Sequence, residues 1–176
     1  MWNYEEDIMF IETERLAMIP MDKEMLEIYR KNYKAFLEKY GYLSEKECIE
    51  DYFKKILKIK IDNIKSEPEM WLYNNYWLFY NKTNRMEIGM VGFKGKKDMK
   101  GRMEVGYGID RKFFGKGYMT EALEGFCKWN LSNLDINGIC ASVNKDNIAS
   151  IRVLEKNGFK MYEEDEKFFW YELLRS

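Results

Sequence analysis

The chain has 176 residues, 29 basic and 30 acidic side chains, a formal net charge of -1 and a hydrophobic fraction of 46%. That length and apolar content fit a single domain over residues 1–176 and exclude a disordered polymer. The balanced charge excludes general steering toward nucleic acid or an anionic membrane, so any anion site has to be local.

Thr13 to Ile19 (TERLAMI) reads as a short strand, stopped by Pro20. Asp22 caps a helix running to about Tyr40, with Met25, Leu26, Tyr29, Tyr33, Phe36 and Leu37 on one face, and Gly41 ends it. Ser44 and Glu47 form an S-x-x-E capping box for a second helix. That helix is expected to bury Ile49, Tyr52, Phe53, Ile56, Leu57 and Ile61 and to end before Pro68. MWLYNNYWLFY (70–80) has the aromatic content of a strand. NKTNR is a turn, MEIGMVGFKG (86–95) the returning strand, and GKKDMKG the turn into a third strand, RMEVGYGI (102–109). RKFFGKGYMTEAL (111–123) opens a helix with Met119, Ala122, Leu123 and Phe126 at helical spacing, ending near Leu131. Gly138 to Val143 is a buried strand, NKDN leads into a helix from Ile148 to Lys156, and Gly158 closes it. FKMYEE and KFFWYELL make a final hairpin. The order predicts an α+β layered fold, with a mixed sheet of about six to seven strands and four helices. The helix between 102–109 and 138–143 favours a parallel crossover there.

MWNYEEDIMFIETERL is interrupted by acids and reads as no secretory signal, and no apolar run approaches the roughly 20 residues of a membrane span. Cys48, Cys127 and Cys140 are odd in number and widely spaced, which reads as reduced thiols packed as small apolar groups in a cytoplasmic protein. Histidine is absent, which removes the usual Ser-His and Cys-His nucleophile pairs and the commonest metal ligand; no metal is expected. Acid-base chemistry is left to Asp, Glu, Tyr, Lys, Cys or ordered water.

The glycines ahead of the helix after residue 117 suggest a function. A helix N-terminus presents unpaired N–H groups and partial positive charge, and glycine lets an anion approach them. FFGKGYMT therefore reads as an anion cradle built from the amides of Gly115, Lys116, Gly117, Tyr118 and Met119, with Lys112 or Lys116 adding charge. A plain glycine turn is the alternative. The stretch is neither a P-loop nor a dinucleotide fingerprint, since the third glycine is missing at residue 120. Gly106 and Gly108 share one face of the preceding strand, a pattern that marks close approach by a ligand or another backbone. Asn144, Asn147 and Ser150 stand three apart at the mouth of the following helix, where one of them is needed as a cap.

RMEVGYGIDRKFFGKGYMTEAL followed by NKDNIASIRVLEKNGF resembles the acetyl-CoA-binding core of the GNAT N-acetyltransferases, and TERLAMIPM resembles the opening strand of the subgroup containing ribosomal-protein N-terminal acetyltransferases. The resemblance runs from Thr13 to the C-terminus. It implies that Lys112 to Thr120, including Phe114, wrap the pyrophosphate of coenzyme A. It also implies that strand 102–109 splays from 138–143, so that pantetheine bonds backbone near Tyr107 and Ile109. Asn144 and Asn147 are expected to contact the cofactor or order its loop, and Ser150 to sit near the thioester sulfur. The family usually has Gln or Arg where Lys112 stands; lysine keeps the charge without the planar fork. Leu154 occupies the place where many members carry a tyrosine acid.

The implied chemistry is direct acetyl transfer to a primary amine. Glu104, on the face of Gly106 and Gly108, is the candidate base; the alternative is a solvated glutamate paired to a lysine. A useful base there requires a pKa raised by burial. Ser150 either hydrogen-bonds the departing sulfur or only bonds helix backbone. Backbone amides near Ile109 are the expected oxyanion donors. Trp71, Tyr73, Tyr76, Trp77, Phe79 and Tyr80 either line an acceptor pocket or form strand core, core being favoured. The acceptor is a protein N-terminus, a polyamine or an aminoglycoside-like amine, with a peptide α-amine favoured by the subgroup resemblance. A non-catalytic acyl-CoA sensor is the alternative function, and the chain is expected to be a monomer or homodimer.

Overall fold

The computed structural model describes residues 10–175. The reading of the extreme N-terminus as no signal therefore falls mostly on MWNYEEDIM, outside the described residues. Eight strands form one sheet in the order β1-β2-β3-β4-β5-β6-β8-β7. They are β1 Ile11–Glu12, β2 Leu16–Pro20, β3 Tyr76–Asn81, β4 Glu87–Phe93, β5 Arg102–Ile109, β6 Gly138–Asn144, β7 Lys160–Glu164 and β8 Phe168–Leu174. The helices are α1 Lys23–Lys31, α2 Tyr33–Tyr40, α3 Asp51–Ser66, α4 Trp71–Asn74, α5 Tyr118–Asn133 and α6 Ile148–Lys156. Neighbouring strands from β1 to β5 pair antiparallel, as do β6, β8 and β7.

The two halves join at β5 and β6, which pair in parallel over only three positions, Arg102, Met103 and Glu104 against Gly138, Ile139 and Cys140. The parallel pairing follows from the α5 crossover, and beyond Glu104 the strands part, as the family resemblance implies. One core layer gathers Trp77, Phe79, Val91, Phe93 and Val105 with Leu123 and Phe126 of α5 and Leu154 of α6. The other holds Met25, Leu26, Tyr29, Phe36, Leu57 and Ile61 of α1–α3 against Leu78 and Met90. Burying about a dozen large side chains at roughly 1.5–3 kcal/mol each supplies the main drive toward this arrangement.

Five local expectations change. Ile11–Glu12 forms an extra strand that folds back on β2, with Thr13 N–H donating to the Leu16 carbonyl, and Pro20 ends β2 as its last residue. The first long helix breaks at Asn32, which caps both pieces: its N–H donates to the Ile28 carbonyl and its side chain accepts from Ala35 N–H. An asparagine side chain competes for backbone groups in this way. Asp22 and the left-handed Gly41 cap the outer ends as read from the sequence. The capping box does not form: Ser44 Oγ accepts from Lys46 N–H in a turn, α3 starts at Asp51, and Tyr52 is exposed. In 70–80, Pro68 starts a 3-10 turn that runs into α4, so the strand begins only at Tyr76. Trp77 and Phe79 enter one core layer, while Tyr76, Trp71 and Tyr80 join the other, so these aromatics are core. Cys127 and Cys140 are buried free thiols, whereas Cys48 is exposed, so the expected packing fails for that one. No described helix is long and apolar enough to cross a membrane.

Candidate functional site

Between β5 and α5 the chain makes a tight path that only glycine permits. Asp110 accepts from Lys112 N–H and starts a 3-10 turn, Arg111–Phe113. Gly115 (φ 73°) and Gly117 (φ 79°) then take left-handed conformations, and Gly117 is the N-cap of α5 without any side-chain cap. A side chain built on Gly115 would meet nothing within 4 Å. The N–H groups of Gly117, Tyr118, Met119 and Thr120 find no acceptor among the described residues. Four donors at the positive end of a 16-residue helix thus lack a partner among the described residues, which is the physical requirement for an anion seat.

A clamp from the N-terminal hairpin fixes this turn. Arg15 donates from Nη1 to the Lys116 carbonyl (2.9 Å) and from Nε to Glu121 (2.7 Å), and its guanidinium lies 4.3 Å from the centre of the Tyr118 ring. Glu121 also accepts from Thr13 Oγ1 (2.5 Å) and Arg15 N–H (2.7 Å). Burial pushes the Glu121 carboxyl up, but these donors outweigh it and hold it below the usual carboxylate range. Arg15 Nη2 would lie 3.4 Å from a Cβ on Gly117, so a fixed positive charge stands directly beside the bared amides.

The parted strands provide the second half of the site. Gly108 is open: nothing lies within 4 Å of where its Cβ would be. The Lys94 stem crosses Gly106, 3.1 Å from its missing Cβ, and reaches Glu104 Oε1 at 2.8 Å. Ser142 Oγ of β6 donates to the same oxygen at 2.6 Å. Burial raises the Glu104 carboxyl, but Lys94 and Ser142 more than compensate and leave its pKa below the ordinary value. Glu104 therefore stands in the lysine-paired arrangement, and the raised pKa required of a strong base is not met.

On the opposite side, Asn147 caps α6 by accepting from Ser150 N–H (3.1 Å), the ordinary capping role. Asn144 ends β6, exposed, and its carbonyl accepts from Asn147 N–H. Ser150 Oγ lies 2.7 Å from the Tyr107 hydroxyl. Leu154 is fully buried in the core.

The structure thus brings Gly115, Gly117, Tyr118, Met119 and Thr120 together at one helix end, with Tyr107, Ile109 and Ser150 at the parted strands. Met119 is buried, so it offers its backbone N–H rather than its side chain, and the Thr120 carbonyl accepts from Asn157 Nδ2. Phe114 is exposed beside the turn. Lys116 is exposed, with Nζ 5.5 Å from the Phe113 ring centre. Lys112 departs from expectation: its ammonium pairs with Glu45 Oε2 at 2.8 Å, drawn toward the loop before α3. Arg15, Glu121, Lys94 and Ser142 were not foreseen. Arg15 and Glu121 are 106 positions apart, and nothing local in either segment signals the pairing. A buried polar group on the α1 side was also unforeseen: Glu87 accepts from Tyr29 (2.8 Å), Tyr33 (2.7 Å) and Lys46 (2.7 Å).

Comparison with known proteins agrees with this geometry. A family model described as an acetyltransferase (GNAT) domain matches residues 15–160. An uncharacterized N-acetyltransferase, YjdG of Bacillus subtilis, is 28% identical over 153 residues, covering 86% of this chain and 90% of the relative. The uncharacterized N-acetyltransferase p20 of Bacillus licheniformis is 31% identical over 87 residues, covering 49% of this chain and 48% of its own. Among solved structures, a ribosomal-protein-S5-alanine acetyltransferase from Vibrio fischeri superposes with a TM-score of 0.68 at 17% identity, covering 95% of this chain and 97% of that one. RimL, a ribosomal L7/L12 α-N-protein acetyltransferase in complex with coenzyme A, superposes with a TM-score of 0.66 at 16% identity, covering 94% and 98%. With most of its length matched by the family model and its bared helix end beside parted strands, the chain belongs to the GNAT acetyltransferase family.

Proposed function

We propose that this single domain carries an acetyl group from acetyl-CoA directly to a primary amine, with a peptide α-amine as the favoured acceptor. The observation that carries the reading is the row of unpaired N–H groups from Gly117 to Thr120 beside the gap that opens after Glu104. The residues fit coenzyme A: the donors suit a diphosphate, Arg15 adds charge, and Gly115 and Gly108 leave space that a side chain would fill. The free edge of β5 from Gly106 to Ile109 suits an added extended chain such as pantetheine. The neighbours that act on ribosomal proteins support a protein or peptide amine.

In this mechanism the protein chiefly positions the partners, which alone is worth roughly 7 kcal/mol or more. Glu104 is ionised at neutral pH and accepts the amine's proton directly or through water, while its low basicity limits its share of the acceleration. Backbone N–H groups near Ile109 meet the charge on the acyl oxygen. A non-catalytic acyl-CoA sensor is the second reading, favoured by Leu154 and by the Lys94–Glu104 pair. The free thiols agree with a cytoplasmic setting.

The test has two stages. Acetyl-CoA at about 100 times its Kd should add roughly 2.7 kcal/mol of stability; an unmoved melting curve contradicts both readings. Thiol release is then followed with Ala- and Ser-terminal peptides, spermidine and kanamycin. Turnover with any of these establishes the transferase, and binding without turnover on the whole set leaves the sensor.

A further inference from the structure

Ser150 and Tyr107 meet across the open end of the sheet. Tyr107 stands three residues past Glu104, the last β5 residue paired to β6. Its ring leans on the core layer under α5, and its hydroxyl lies 2.7 Å from Ser150 Oγ and 3.4 Å from the Ser150 carbonyl. Ser150 sits on the first turn of α6, its N–H held by Asn147. One turn further on, Leu154 is wholly buried, so α6 carries no hydroxyl there. A strand therefore delivers a phenol to the helix turn where the helix itself supplies only serine.

We infer that Tyr107 is a positioning residue: it donates to Ser150 Oγ and so leaves the serine O–H free to meet the departing sulfur. This rests on the transferase reading above. At this distance either oxygen could donate; a phenol is a stronger acid than an alcohol, which favours Tyr107 as donor and Ser150 as acceptor. Burial pushes the Tyr107 hydroxyl up to about 12, so it holds its proton throughout the neutral range and has it to donate. The reversed bond would consume the serine proton and leave nothing for the sulfur.

The step balances simply. The amine nitrogen forms its bond to the acyl carbon, the C–S bond breaks, and sulfur departs with that electron pair. Ser150 hydrogen-bonds the sulfur as charge grows on it. The proton given up by the amine balances the free thiol, so neither hydroxyl is consumed.

Tyr107→Phe keeps the ring and removes one oxygen. We expect kcat to fall about tenfold, the order of one hydrogen bond, with KM for acetyl-CoA and the acetyl-CoA-induced rise in Tm unchanged. Ser150→Ala should fall at least as far, and the double variant no further than Ser150→Ala, because both act through one bond. Full kcat in Tyr107→Phe, or a double variant that multiplies both losses, overturns the inference. If Tyr107→Phe does not fold, Ser150→Ala decides: kcat unchanged with the acetyl-CoA shift intact overturns it, and a loss restored by Ser150→Thr supports it. Absence of wild-type turnover on the whole amine set is a separate result, seen before any variant is made; it removes the transferase reading and this inference with it.

Discussion

At the residue scale, Glu104 shows how one side chain can hold two opposed influences. Burial alone would raise its pKa, but Lys94 and Ser142 reverse the shift. Any acid limb that Glu104 contributes to kcat/KM therefore lies below its ordinary 4.5, and no inflection from it is expected between about 5 and 8. Lys94→Met removes a lowering partner while burial stays, so that limb should move to higher pH. A pH–rate profile that does not respond to Lys94→Met removes Glu104 from the mechanism. Glu104→Gln should leave acetyl-CoA binding intact and slow turnover about tenfold, less than a well-matched general base contributes, because its basicity is low. Gly117→Asp puts a carboxylate at the anion seat on a left-handed backbone, and should abolish the thermal shift with acetyl-CoA.

At the element scale, the N-terminal hairpin acts as a clamp on the start of α5. Arg15→Ala removes the contact to the Lys116 carbonyl and the pair to Glu121. We expect acetyl-CoA affinity to fall about tenfold, with Arg15→Lys an incomplete rescue because lysine lacks the fork. Glu121→Gln should cost about 2 kcal/mol by denaturant melting, since a carboxylate accepting several bonds is replaced by an amide that must turn a donor toward donors. The pH sense is fixed by the lowered folded pKa of Glu121. Its stabilisation is present above the ordinary 4.5 and is lost as pH falls through the lower folded value. Stability differences between wild type and Glu121→Gln should shrink in that acid window. Lys60 of α3 also has its pKa lowered, but by burial that penalises its charge rather than by donors that favour it. It is buried, bonded to the Phe93 carbonyl, and burial lowers it to about 8 from 10.5. Between those values the unfolded chain binds more protons, so wild type should gain stability relative to Lys60→Met as pH rises from about 8 to 9.5. A constant difference in Tm across that range contradicts the assignment.

At the scale of the whole molecule, the segments easiest to read in the sequence were those governed by neighbours in the chain. Strand 102–109 and helix Ile148–Lys156 have the bounds read from the sequence, because alternation and capping are local. The break at exposed Asn32 leaves the apolar face of Tyr29, Tyr33 and Phe36 continuous, so periodicity alone hides it. The 70–80 segment is a strand only from Tyr76, because aromatic content does not outweigh the helical turn that Pro68 starts. The site divides in the same way. Its glycines and helix end are contiguous and were legible; Arg15, Lys94 and Ser142 reach it from distant strands and were not. The pairing of Lys112 with Glu45 was hidden for the same reason, since α3, α4 and strands β3 to β5 lie between them in the chain.

The central claim is that bared backbone donors at the start of α5 hold the diphosphate of coenzyme A. The most direct test is a titration of the isotope-labelled protein with coenzyme A, following backbone amide resonances. The account predicts the largest shifts, all with one Kd, at Gly117, Tyr118, Met119 and Thr120, with Gly108 and Ile109 following as the strand edge is paired. Saturable binding that leaves those four amides unmoved while shifting residues elsewhere would contradict it.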